Sequence, residues 1–141
     1  MPTVADTKRT QKNELFAEAP LAANGAAEGK ALPLVRKLCQ LMATEQINYC
    51  HWKSNNALDR SASGENDLDL LVSQADGPRF EAMLRALGFK QVKAPADKEM
   101  PGVLDYFGYE PEADKFVHVH LHYHLVVGHD ASKNYRLPIE Q

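Results

Sequence analysis

The sequence has little of what marks several large protein classes. Among its 141 residues there are two cysteines, Cys39 and Cys50. A single pair cannot build the disulfide framework of a small secreted domain, and free thiols suit a reducing cytoplasm. No apolar run approaches the roughly 20 residues that a membrane helix needs. No apolar core follows Met1 either, so neither a membrane nor secretion through such a leader is expected. Charge of one sign is also missing: 16 Lys+Arg stand against 19 Asp+Glu, a net charge of -3. Nothing therefore supplies the broad positive field that would coat a nucleic acid. The segment 97–115 adds six acids and only two lysines, which argues further against a nucleic-acid track.

What is there fits one ordinary domain by length. Hydrophobic residues make up 44% and charged residues 25%, enough for most of the chain to fold around a core. One count is unusual. Of six histidines, four stand at 118, 120, 122 and 124, and a fifth is His129.

Residues 1–29 are polar at first and then rich in Ala and Gly. They read as a mobile arm preceding a fold that occupies 30–141. Pro33 suits a first helical turn, and Leu34, Val35, Leu38, Leu41 and Met42 recur at helical spacing, so a helix is expected from Leu32 to Glu45. Ile47 to Trp52 reads as a strand, Ala57 to Ser63 as one or two helical turns, and Asp67 to Val72 as a second strand. Phe80, Met83, Leu84 and Leu87 form another helical stripe, closed by Gly88 at a C-cap position. Phe89 to Val92 is expected as a strand and 94–102 as a loop. Val103 to Tyr109 and Phe116 to Val127 should form a hairpin around a turn at Glu110–Asp114. Leu137-Pro138-Ile139-Glu140 resembles the start of an unfinished helix. This order implies an α/β or α+β domain, a small mixed sheet with helices packed against it and a C-terminal hairpin. Cys39, Cys50 and Trp52 are expected in the core.

Asp67 and Asp69 sit two apart on an expected strand, so both carboxylates project from one face, opposite Leu68, Leu70 and Val72. Like charges this close need screening by water or a cation. A hard ion such as Mg2+ favours carboxylate oxygens and keeps positions open for substrate phosphates. The preceding turn, Lys53-Ser54-Asn55, offers an ammonium, a hydroxyl and backbone N–H groups for phosphate. Ser54 serves equally as a helix N-cap.

Trp52-Lys53-Ser54, twelve intervening residues and Asp67-Leu68-Asp69-Leu70 together resemble the signature of the nucleotidyltransferase superfamily that includes DNA polymerase β. With the later HVHLHYHLVVG, the run from His51 to Val72 is similar to the nucleotidyltransferase-like domain of bacterial proteins, some of which also carry a thymidylate kinase-like domain. The resemblance implies a small mixed sheet with packed helices. It also implies ATP-type nucleotide binding and transfer of a nucleoside monophosphate from a metal-bound NTP to a hydroxyl. The acceptor would be a small molecule or a protein, and the implied partner a C-terminal domain or another subunit. Carried over, Asp67 and Asp69 are the catalytic metal ligands, and Lys53, Ser54 and Asn55 lie at the phosphate. Lys53 stands where the family has glycine. The third carboxylate position falls on His120, or on His118 in an alternative register. An imidazole can serve as a base, but it suits Mn2+ or Zn2+ better than Mg2+.

On an extended strand, His118, His120, His122 and His124 share a face at ~6.6–6.8 Å intervals, so two neighbours can share one ion but four in line cannot all reach it. A zinc site would need further ligands, for which Asp67 and Asp69 are candidates if the strands are neighbours. His120 is the expected functional member, and His122 and His124 are expected to structure the sheet. Asp105 and Tyr106, Tyr109 and Tyr123 read as cross-strand hairpin pairs, or alternatively as lining the same cleft. Two other readings compete with the enzyme: a catalytically inactive nucleotide-binding or regulatory module of a larger kinase-like protein or complex, and a His/Asp transition-metal-binding protein.

Overall fold

A computed structural model describes residues 31–53, 55–127 and 135–137. The expected arm at 1–29, together with Ser54, His129 and the chain end at 138–141, lies outside the described residues.

Helix α1 spans Pro33–Thr44. Leu32, Val35, Leu38 and Met42 recur on one face and are buried, the stripe expected from their spacing. Its free N-terminal amides find a partner from far along the chain: the Leu34 amide donates to Glu110 Oε2 at 2.8 Å. Strand β1 follows at Tyr49–His51. It is shorter than the expected run, because Ile47 turns into the core and Trp52 bonds only through its amide to Asp69 O. A 3-10 turn at Asn55–Ala57 and the short helix α2 at Leu58–Ala62 connect β1 to β2, Leu68–Val72. Helix α3, Gly77–Ala86, buries Phe80, Met83 and Leu84. It ends where expected, at Gly88, whose φ of 87° is the left-handed conformation glycine tolerates best. Strand β3 is Lys90–Val92, β4 is Val103–Glu110 and β5 is Lys115–His122.

These five strands form one mixed sheet in the order β1-β2-β5-β4-β3. β1 is antiparallel to β2, β2 is parallel to β5, and β5 is antiparallel to β4. The mixed α/β architecture agrees with the class read from the sequence. One face carries Leu68, Leu70, Val72, Tyr106, Val117, Val119 and Leu121, which form the core with α1 and α3. The opposite face carries the aspartates and histidines, because side chains alternate along each strand.

The long final strand is broken. β5 stops at His122, and after Tyr123-His124 the chain enters β6, Leu125–Val127, which pairs in a separate two-stranded sheet with β7, Tyr135–Leu137. The ladder runs out of partner: Val103, the first residue of β4, already faces His122. Beyond it only the Tyr123 amide is held, by Gly102 O at 2.8 Å. Leu137 therefore belongs to a strand rather than to the start of a helix.

Tyr123 instead reaches across to α3. Its hydroxyl donates to Glu81 at 2.7 Å, and the buried Tyr106 hydroxyl donates to the same carboxylate at 2.8 Å. Desolvation works to raise the Glu81 carboxyl, but the two phenols and Arg85 hold it below the ordinary carboxylate value. Desolvation and then Glu81 push the Tyr106 phenol up to about 12. This cluster fixes α3 beneath β4 and the end of β5.

Candidate functional site

β2 and β5 build the site. Their parallel register sets Asp69 directly against His120 and Leu71 against His122. β4 completes the floor by setting Asp105 against His120 from the other side and Phe107 against His118. Three carboxylates and three imidazoles thus meet on the face away from the helices. Asp67 and Asp69 share that face as the period of two requires, with Leu68, Leu70 and Val72 buried on the other.

Two groupings result. In the first, His118 bridges two carboxylates: its Nδ1 is 2.9 Å from Asp67 Oδ1 and its Nε2 is 2.8 Å from Asp105 Oδ1. Both contacts are hydrogen bonds only when both ring nitrogens carry a proton. The ring also lies flat on Phe107, with centroids 4.3 Å apart and planes 3° apart. In the second, Asp69 Oδ1 lies 3.1 Å from His120 Nδ1 and 3.7 Å from His122 Nε2. Asp69, His120 and His122 each offer a ligand atom within 4.8 Å of the others, so this group could hold a metal ion. His120 Nε2 points toward Asp105 at 4.0 Å, beyond direct hydrogen bonding.

Burial differs sharply within the face. His122 is 2% exposed and Asp69 8%, whereas Asp67 is exposed. The group that gathers around Asp69 is therefore shielded, and Asp67 stands at the rim. Lys53 approaches Asp69 from β1's side, its ammonium 3.7 Å from Oδ1 and 4.9 Å from the centre of the Trp52 ring. Trp52 meets His122 edge-on, with centroids 5.4 Å apart. Trp52 is thus a wall of the site rather than a core residue: it lies one alternation beyond Cys50, on the polar face. Cys50, expected in the core, is exposed because it shares that face on the edge strand. Cys39, on α1, is partly buried and its thiol is raised by desolvation.

The site residues expected from sequence fall into three sets. Lys53, Asp69 and His120 come together. Asp67 stands beside them, but its carboxylate is held by His118. Asn55 is turned away: its carboxamide oxygen lies 3.0 Å from His51 Nδ1, and both residues line a cavity of about 910 Å³ on the helix face, beside Leu38 and Met42. That cavity is mainly apolar and lies on the face opposite the carboxylates.

Asp105 reads from the sequence as a hairpin residue or as a lining of the histidine cleft, and His122 chiefly as a sheet residue; the structure puts both at the site. The alternation of Asp105 with Tyr106 already placed them on opposite faces, and Tyr106 does lie in the core while Asp105 faces the histidines. Tyr109 lies at the hairpin tip, where its hydroxyl donates to Asp114 at 2.7 Å. His124 has left the ladder: its Nδ1 is 3.1 Å from Gln74 Nε2, since the strand that would have kept it in line ends two residues earlier.

Among the described residues, no helix is long and apolar enough to cross a membrane. No family model, curated protein or solved structure matches this chain.

Proposed function

We propose that this chain is a nucleotidyltransferase-like domain that binds a metal-bound nucleoside triphosphate on the β2–β5 face and transfers its nucleoside monophosphate to a hydroxyl of a small molecule or protein. One observation carries the reading. The Asp-x-Asp strand lies parallel to and in register with the strand that bears His120, so the Asp69 carboxylate and the imidazole at the third-ligand position are 3.1 Å apart. A divalent ion held there would neutralise charge developing on the leaving pyrophosphate oxygen and orient the triphosphate.

Each neighbour has a matching task. Lys53 pairs with Asp69 in the absence of the ion. Once an ion takes that oxygen, the ammonium is free to meet a phosphate on the same side. His120 would help hold that ion, and an acceptor hydroxyl brought onto the ion would have its pKa lowered and release its proton to water. Ser54, the family's phosphate contact, lies outside the described residues. The domain would act within a longer protein or with a partner that supplies the acceptor.

The reading is tested by pyrophosphate release from each of the four NTPs with Mg2+ or Mn2+. Release that is lost in Asp69→Asn supports it. Absence of both NTP binding and release with every ion tried contradicts it. Tight NTP binding without release identifies the non-catalytic module instead.

A further inference from the structure

We infer that the ion at this site is a single borderline transition-metal ion, of the Zn2+ class, seated on Asp69, His120 and His122, and not a pair of Mg2+ ions on Asp67 and Asp69. The inference deepens the reading above and rests on it only for the task the ion performs.

Two imidazole nitrogens and one carboxylate form a set that suits zinc and neighbours such as iron, cobalt and nickel, whereas magnesium takes oxygen and keeps most of its water. Three protein ligands with open positions remaining is the arrangement of catalytic rather than structural zinc.

The distances agree. Ligand atoms about 2.0–2.2 Å from a tetrahedral ion are about 3.4 Å from one another. The Asp69–His120 and Asp69–His122 separations, 3.1 and 3.7 Å, straddle that value. All three ligand atoms lie within 4.8 Å of one another, so the imidazoles would draw in around Asp69 Oδ1 to close on an ion.

Asp67 is otherwise engaged. Its Oδ1 sits on His118 Nδ1, and His118 is held from behind by Asp105 and by the Phe107 ring. Recruiting Asp67 to a second ion would break that bridge. Asp105 has a different use, because a carboxylate near the far nitrogen of a ligating histidine orients the ring and raises its basicity. A water between Asp105 and His120 Nε2 would span their 4.0 Å separation.

Trp52 provides a direct reporter. It is the single tryptophan of the chain, and its ring touches the buried ligand His122. A paramagnetic ion at this seat should quench its emission.

The test uses the full chain stripped of metal and titrated separately with ZnCl2, MnCl2 and MgCl2. Calorimetry measures affinity and stoichiometry, and Trp52 emission reports the location. The expected result is one ion per chain, with zinc bound at least about 100-fold more tightly than magnesium and emission quenched by manganese. His120→Gln and His122→Gln preserve side-chain bulk and should each weaken zinc at least about tenfold. His124→Ala, which removes a histidine outside the group, should not. Circular dichroism and thermal melting of the stripped variants report whether each has folded, and His120 is near enough to the surface for its variant to do so.

Two ions per chain, magnesium bound as tightly as zinc, or zinc binding unaffected in both glutamine variants would each overturn the inference. The two proposals fail separately. Zinc at this seat with no NTP binding leaves the ion assignment standing and removes the nucleotide. Magnesium-dependent NTP binding indifferent to His122→Gln does the reverse.

Discussion

Asp69 and His120 are direct register partners on parallel neighbouring strands, 51 residues apart in sequence and 3.1 Å apart at Oδ1 and Nδ1. Everything else on the polar face is arranged around this contact. His122 approaches the same oxygen from one side and Lys53 from another, while His118 holds Asp67 at the rim and shares Asp105, which also faces His120.

Lys53→Met should separate binding from metal seating. The substitution removes the ammonium that faces Asp69 and the Trp52 ring but keeps an unbranched stem of similar length. Metal affinity should rise or stay level, because a competing cation is gone, while affinity for NTP should fall. Titrating metal alone, and then NTP at saturating metal, checks both signs. A parallel loss of the two would show that Lys53 only holds Asp69 in place.

The fold could be read from the sequence wherever a local rule applied. Apolar spacing gave α1 and α3, the left-handed glycine at 88 ended α3, and alternation placed Asp67 and Asp69 opposite Leu68, Leu70 and Val72. Which strands become neighbours is not a local property. The β2–β5 pairing joins residues 51 apart, so the meeting of Asp69 with the histidines could be expected only through resemblance to a known signature or on the condition that the two strands are neighbours. Asp105 stayed undecided between hairpin and cleft for the same reason, since its role depends on β4 lying beside β5. The break at Tyr123 follows from where β4 begins, and nothing in the alternating run FVHVHLHYHLVV marks it.

Asp76 should make stability depend on pH in the acid range. Its carboxylate accepts from the Asn48 amide at 3.0 Å and the Asn48 side chain at 2.7 Å, with Arg79 at 3.2 Å. These bonds, the backbone one foremost, hold its pKa below the ordinary value of 3.8. A depressed folded-state pKa contributes stability that is fully present above the unfolded value and is lost as pH falls through the folded one. In urea titrations, Asp76→Asn should therefore lie below the parent at pH 6, with the gap narrowing below about pH 4. A gap that is constant with pH would contradict this assignment.

Tyr106→Phe should cost about 1–2 kcal/mol, because it leaves the partly buried Glu81 with one phenol instead of two. Tyr123→Phe should cost a similar amount, and the double variant more than the sum, since Glu81 would then lose both. Chemical denaturation of the three variants forms the cycle that measures the coupling.

Gly108→Ala tests the packing beneath β4. An added Cβ would stand 2.7 Å from the Phe89 ring, which is fully buried and has no room to retreat. Overpacking of this kind costs about 1–3 kcal/mol, read as a lowered midpoint with an unchanged denaturant slope. An unchanged midpoint would mean that the core at β3–β4 is looser than described.

If one transition-metal ion and a triphosphate share the β2–β5 face, anomalous diffraction at the zinc edge will show it, in crystals grown with zinc and a non-hydrolysable NTP analogue. The expected map has a single peak in bonding contact with Asp69, His120 and His122, with the triphosphate on the Lys53 side of that ion. A peak on Asp67 with His118, two peaks, or a nucleotide seated in the apolar cavity on the helix face would contradict the shared site.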